Sequence, residues 1–145
     1  MATRPLADLP TWLLSRANRR AQGLLYDAFA EVGLRPVHYR TLAALADGGS
    51  LSQAELGRRL GLDRKDVAVT LDQLADRRLL RRRPDPDDGR RNVITLTTTG
   101  LALLPDLERR LDAVQREVLA PLSATERRTL QTLLRRLGPT DSRDR

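Results

Sequence analysis

The side chains able to do chemistry are unevenly stocked in this chain of 145 residues: 26 basic and 19 acidic, one histidine (His38) and no cysteine. Without cysteine there is no disulfide, thiolate zinc site or thiol redox sensor. A Ser-His-Asp arrangement or a His-rich metal site would have to be assembled around His38 alone, so no catalytic residue, cofactor or metal is expected. The imbalance is positive, +7 overall, and every basic residue except Lys65 is arginine. Charge on this scale speaks to partners rather than to fold, and polyanions are the partners it favours. It is also concentrated: residues 77–91 hold seven arginines and three aspartates, a net +4. The aspartates Asp85, Asp87 and Asp88 sit among those arginines, which would neutralise a cation site there and argues against a metal-dependent enzyme.

Such side chains need elements to aim them. The length suits one domain, 1–145, and the composition, 40% hydrophobic and 31% charged, is that of a globular protein. No stretch is long and apolar enough to suggest a membrane span. Residues 1–5 lack the apolar run of a secretory signal, so a soluble, cytoplasmic chain is expected. Over residues 8–33 the apolar positions Leu9, Leu13, Ala17, Leu24, Ala28 and Val32 share one face of a long helix, with Asp8 as its cap, Pro10 in its first turn and Gly33 as its stop. A second helix starts at Pro36, turns Tyr39, Leu42, Ala43 and Ala46 inward, and ends at Gly48-Gly49.

The next stretch is the most informative. Ser52-Gln53-Ala54-Glu55 reads as a capping box, flanked by Leu51 and Leu56 as a hydrophobic staple. The helix it starts runs to Leu60, and Gly61 supplies the left-handed residue that ends it. Asp63 then caps a fourth helix whose buried stripe is Val67, Leu71 and Leu74. Two short helices joined by a tight glycine turn form a helix-turn-helix, whose second helix is placed to enter a DNA major groove. Asp66, Asp72 and Asp76 on that helix are liabilities near phosphate, expected to cap or to pair with arginines. Residues 79–83 and 92–96 read as strands joined by Pro84-Asp85-Pro86-Asp87-Asp88-Gly89-Arg90-Arg91, a run of turn formers, so the hairpin closes as a wing. Beyond Thr97 a helix carries Leu104, Leu107, Leu111, Val114 and Val118 inward, and Pro105 is expected to kink it or begin it afresh. Ser123-Ala124-Thr125-Glu126 is a second capping box, followed by Leu130, Leu133, Leu134 and Leu137, a stop at Gly138, and a tail, 139–145, expected to fray.

Residues 51–100 of this pattern resemble the winged-helix core of the MarR (multiple antibiotic resistance regulator) family of bacterial transcription factors. The resemblance is carried by Leu51-Ser52-Gln53-Ala54-Glu55-Leu56-Gly57 with Leu60, by residues 74–80, and above all by Asp85-Pro86-Asp87-Asp88-Gly89-Arg90-Arg91 leading to Leu96-Thr97-Thr98-Thr99-Gly100. It implies a mainly α fold with a small β-hairpin, a winged helix-turn-helix (36–97) flanked by N- and C-terminal dimerisation helices (8–33 and 98–138). The leucines of those helices are more than one chain of this size readily covers, which supports a homodimer independently. The function implied is a sequence-specific, double-stranded-DNA-binding regulator, a repressor on a pseudo-palindromic operator. Alternatives are a nonspecific or architectural DNA-binding protein, and a winged helix used for protein contact.

The resemblance also implies site residues. Arg64, Lys65, Ala68 and Val69 occupy the outward positions from which the family reads the major groove, with Ser52 and Gln53 beside them. Arg90 matches an arginine that enters the minor groove, and Asp88 the aspartate that holds it. Arg77, Arg78, Arg81, Arg82 and Arg83 surround the wing base and are expected to attract phosphate without sequence preference. Arg91 stands where the family usually has a small residue and is assigned a phosphate contact; Arg78 stands where it usually has glycine, which would strain a left-handed backbone. Family members often release DNA on binding small aromatic acids, and Trp12, Arg16, His38 and Tyr39 are the candidate effector residues, with Tyr26, Phe29 and Arg40 nearby in sequence. The bland reading of these aromatics is core packing, and of His38 a helix-surface or interface residue.

Overall fold

A helix of 21 residues, α1 (Pro10–Ala30), follows a single 3-10 turn, Leu6–Asp8, at the start of the computed structural model, which describes residues 3–138. The tail at 139–145 lies outside the described residues. Asp8 does not cap α1: it falls within the turn, and Leu9 takes the cap position without a side-chain bond. Pro10 suits the first helical position, since its missing N–H is one of those the helix leaves unpaired there. Gly33 does end the helix region, at φ +70°, with its N–H on the Ala30 carbonyl at 2.9 Å and that of Leu34 on Phe29 at 3.0 Å.

In α2 (Pro36–Gly48) the inward stripe is His38, Thr41, Leu42 and Leu45, one step back from the expected 39-42-43-46 set; Ala46 is exposed and Tyr39 and Ala43 are half-buried. Two polar residues lie on the buried face because their hydrogen bonds are met inside the protein: the Thr41 hydroxyl donates to the Val37 carbonyl at 2.8 Å, and His38 has two partners described below.

Strand β1 (Leu51–Ser52), α3 (Gln53–Leu60), α4 (Arg64–Asp76), β2 (Leu80–Pro84) and β3 (Asn92–Leu96) complete the winged unit. The expected hairpin is one part of a three-stranded antiparallel sheet of order β1-β3-β2, because Leu51 and Ser52 pair with Ile94 and Val93. Two residues are too few to show a strand's alternation in sequence. In the hairpin, Leu80 faces Leu96 and Arg82 faces Ile94. Leu42, Leu56, Leu71, Leu74, Ile94 and Leu107 meet in the core, all at most 1% exposed.

Helix α5 (Thr98–Leu119) leaves the wing through a fastened corner. The Thr97 hydroxyl accepts the Gly100 N–H at 3.0 Å and donates to the Arg78 carbonyl at 2.6 Å. A Cβ on Gly100 would lie 2.0 Å from the Leu79 carbonyl oxygen, so only glycine lets α5 seat against the end of α4. Pro105 neither restarts nor interrupts α5, which runs unbroken through it. The carbonyl it deprives of a partner is that of Leu101, an exposed residue, where water can take over. Arg110 ties α5 to α1, donating to Asp106 at 2.9 Å and reaching both Glu31 and the Ala28 carbonyl.

Helix α6 (Ala124–Leu137) starts at its capping box, with the Glu126 N–H on Ser123 Oγ at 3.2 Å and the Ser123 N–H on Glu126 at 2.9 Å. It buries no residue, and in α1 only Phe29 is buried. Leu13, Leu14, Leu133, Leu134 and Leu137 are exposed. No helix is long and apolar enough to cross a membrane, and among the described residues no group of acidic, histidine or cysteine side chains is placed to hold a metal ion.

Candidate DNA interface

The register of α4 follows from what it buries. With Val67, Thr70, Leu71 and Leu74 turned into the core, Arg64 and Lys65 are exposed on its first turn, Val69 is exposed one turn on, and Ala68 is half-buried beside it. Asp63 anchors that first turn by accepting the Asp66 N–H at 2.8 Å. Ahead of it, α3 is held by the capping box read from the sequence: Ser52 Oγ accepts the Glu55 N–H at 3.1 Å and Glu55 accepts the Ser52 N–H at 3.2 Å. Ser52 is consequently 7% exposed with its oxygen engaged, whereas Gln53 is half-buried at the edge of the turn. Gly61, at φ +63°, makes the tight passage between the two helices.

The wing tip is folded by its aspartates. Asp85 accepts the Asp87 N–H at 2.9 Å, and its own N–H reaches the Arg91 carbonyl at 2.7 Å. Asp88 accepts the Arg90 N–H at 3.1 Å through its carboxylate and the Arg91 N–H at 3.0 Å through its carbonyl. Asp88 therefore holds Arg90 by the backbone, because a carboxylate two residues ahead in a turn meets the N–H first. Among the described residues neither Arg90 nor Arg91 is in an ion pair, so both charges remain available.

Between turn and wing runs an open cleft of about 840 Å³, walled on one side by Gln53, Arg58 and Arg64 and on the other by Arg90, Arg91 and Asn92. Arg58 and Asn92 were not singled out in the sequence. Both are ordinary polar surface residues there, and only the approach of β3 to α3 places them together.

The surrounding arginines are not equivalent. Arg81 and Arg83 are exposed along β2. Arg82 is spent on Asp72 of α4 at 2.6 Å, which fulfils the expected pairing of that aspartate and braces the wing against the helix. Arg77 is turned away from the wing, its Nη1 donating at 3.0 Å to the carbonyls of both Val32 and Gly33. It closes the end of α1 rather than attracting phosphate. Arg78 is left-handed, at φ +58°, in the turn that ends α4, where an arginine costs about 1 kcal/mol that glycine would not.

The candidate effector residues fall into two groups within a single chain. Tyr39 stacks on Phe29 with ring centroids 5.6 Å apart and planes 16° from parallel, and burial, with Glu108 and Asp112 adding to it, raises its pKa. His38 is buried beneath the same region, neither a surface nor an interface residue of this chain. Trp12 and Arg16 lie near the other end of α1, with Trp12 roughly 25 Å along the helix axis from Phe29.

Comparison with known proteins agrees with this geometry. The sequence model of the MarR family matches residues 32–91. The HTH-type transcriptional repressor NicR of Pseudomonas putida is 30% identical over 129 residues, covering 89% of this chain and 82% of the relative. The PcaV transcriptional regulator of Streptomyces coelicolor, solved with its natural ligand, superposes with a TM-score of 0.81 at 33% identity over 94% of this chain and 96% of that one. BpsR of Bordetella bronchiseptica, whose structure addresses regulation of DNA binding by 6-hydroxynicotinic acid, gives a TM-score of 0.88 at 25% identity over 97% and 100% of the two chains. The chain belongs to the MarR family and is a DNA-binding transcriptional regulator with a winged helix-turn-helix fold.

Proposed function

We propose that the chain acts as a cytoplasmic homodimeric repressor, without enzymatic activity, that occupies a pseudo-palindromic operator and is released by a small aromatic acid. The observation that carries the DNA-binding part is the cleft lined by Arg64 of the helix and Arg90 of the wing, which suits the passage of one strand of a duplex between them. Arg64 and Lys65 read base edges, and Ala68 and Val69 meet thymine methyl groups. Arg90 enters the minor groove, while Gln53, Arg81, Arg83 and Arg91 contact phosphates. Ser52 and Asp88 serve DNA binding through the turns they hold.

The dimer reading rests on the uncovered leucines of α1 and α6, which with α5 form the dimerisation arms about a single winged unit. Two such units about a two-fold axis would meet half-sites spaced by about one helical turn, roughly 10 bp, or a multiple of it. The effector reading rests on relatives: PcaV is solved with its natural ligand, and DNA binding by BpsR is regulated by 6-hydroxynicotinic acid. In a dimer, Trp12 and Arg16 of one chain are free to approach a partner, with Arg16 suited to a carboxylate.

Selection of genomic fragments by the purified protein tests the reading. An enriched palindrome, bound at least about 10³-fold more tightly than random duplex at physiological salt, is the expected result. Equal affinity for both would leave a nonspecific DNA-binding protein instead. On the selected site, Arg90→Ala should cost about 1–3 kcal/mol of affinity by titration; no loss would favour a wing used for protein contact.

A further inference from the structure

Behind the recognition helix one buried ring and two exposed side chains form a polar network that the reading above does not use. His38, the sequence's single histidine, is 5% exposed. Its Nδ1 accepts the N–H of Arg35, the cap residue of α2, at 2.9 Å. Nδ1 is thus without a proton, and the ring proton is on Nε2, which donates to Gln73 Oε1 at 2.8 Å. Arg35 Nη2 donates to the same oxygen at 2.6 Å. Gln73 belongs to α4, nine residues past Arg64 and so roughly 13 Å further along its axis. One amide oxygen accepts from both α2 and the turn before it, a polar tie added to the apolar packing of α2 on the recognition helix, at the end away from the DNA.

We propose that His38 is a positioning residue for DNA recognition: its neutral, Nε2-protonated ring ties the first turn of α2 to Gln73 and so holds α4 in the DNA-binding pose, and protonation at Nδ1 breaks that tie at the Arg35 N–H. The inference rests on α4 being the recognition helix. A second proton has only Nδ1 to occupy, where the Arg35 N–H already points, so protonation sets donor against donor and opens the first turn of α2. The charges that reach the ring are both positive: Arg35 from the turn before α2 and Arg77 from the end of α4. The carboxylates of α5, Glu108 and Asp112, bear on Tyr39 instead; Glu31 of α1 is committed to Arg110; and α3 and β3 bring no charge to bear on it. Burial therefore lowers the His38 pKa, the Gln73 bond opposes this, and Arg35 and Arg77 lower it further.

The sign separates this from ordinary electrostatics. A phosphate backbone nearby favours the protonated ring and would raise a histidine pKa on binding. If α4 must be held by neutral His38 to bind, reciprocity requires operator binding to lower it. With one histidine in the sequence, the ring can be followed by NMR without ambiguity. Two measurements decide the matter: the His38 titration in the wild-type protein, free and on the selected operator, and operator preference over random duplex from about pH 8 to about pH 5.5 for wild type and His38→Gln, which keeps an N–H for Gln73 but cannot titrate. The proposal expects the ring pKa to fall on binding, and wild-type preference to drop at least about fivefold on acidification while that of the variant stays flat. A ring pKa that rises or does not move on binding, or parallel pH profiles for the two proteins, overturns it. The NMR arm needs no variant, so a variant that fails to fold leaves the test intact. Absence of any operator preference at about pH 8 would instead sink the regulator reading, and this inference with it.

Discussion

Leu74 on α4 and Leu134 on α6 each lie on the apolar stripe of an amphipathic helix, yet the first is fully buried and the second is 42% exposed. The winged unit covers its stripes with its own elements: α2, α4, β3 and α5 converge on one core. The arms do not, since α6 buries nothing and the first half of α1 leaves Leu13 and Leu14 open. An apolar face states that it needs cover, and only packing states whose cover it receives. Single scattered leucines on a surface need no explanation, but a series at helical spacing on two terminal helices is the pattern of an isologous interface.

The largest effect that would break this contrast is expected at Leu134. Leu134→Glu should weaken the proposed dimer by at least about 3 kcal/mol, because a two-fold interface through α6 would lose the leucine twice. Sedimentation should show monomers whose winged unit remains folded, and a variant that stays dimeric at low concentration would remove Leu134 from the interface. Next comes Gly100→Ala, which forces a methyl group into the Leu79 carbonyl and should destabilise the winged unit by about 1–3 kcal/mol, read as a lower midpoint of thermal unfolding. The smallest and most discriminating pair is Ser52→Ala against Ser123→Ala, two capping boxes of the same chemistry, each expected to cost about 1 kcal/mol. In the first the loss should appear in global stability. In the second, hydrogen exchange should show α6 fraying while α2 to β3 keep their protection; equal behaviour of the two variants would mean arms and core unfold as one unit.

The helix ends were legible in the sequence wherever a local bond or a local conformation makes them. Both capping boxes, the Asp63 cap and the turns at Gly33 and Gly61 are formed as read. Asp8 is the exception: it lies in the 3-10 turn, and Leu9 takes the cap position. The buried face of α2 was misplaced since hydropathy ranks His38 and Thr41 as surface residues and cannot see the Gln73 and Val37 oxygens that satisfy them. The strand at Leu51–Ser52 left no pattern to read, and the continuity of α5 through Pro105 depends on an exposed turn.

For the interface, the resemblance to the MarR family pointed to Arg64, Lys65 and Arg90, whose guanidinium and ammonium groups suit a polyanion. It could not sort the remaining arginines. Arg77 and Arg82 look the same in sequence as Arg81 and Arg83, but one fastens α1 and the other is paired with Asp72. Asp88 is bonded to the Arg90 N–H, an atom that the resemblance did not specify.

What the sequence determined by itself was local: caps, left-handed glycines, helical spacing, and a positive charge massed over residues 77–91. These are interactions within a turn or two of chain, so the order of residues is enough to specify them. What the tertiary structure decided was every pairing across distance: which arginines are spent, the cleft between Arg64 and Arg90, the seat of Gly100 on Leu79, and the grip of His38 and Arg35 on Gln73. Those depend on how the elements are packed, and a side chain's charge or hydropathy carries no record of the partner that packing will bring.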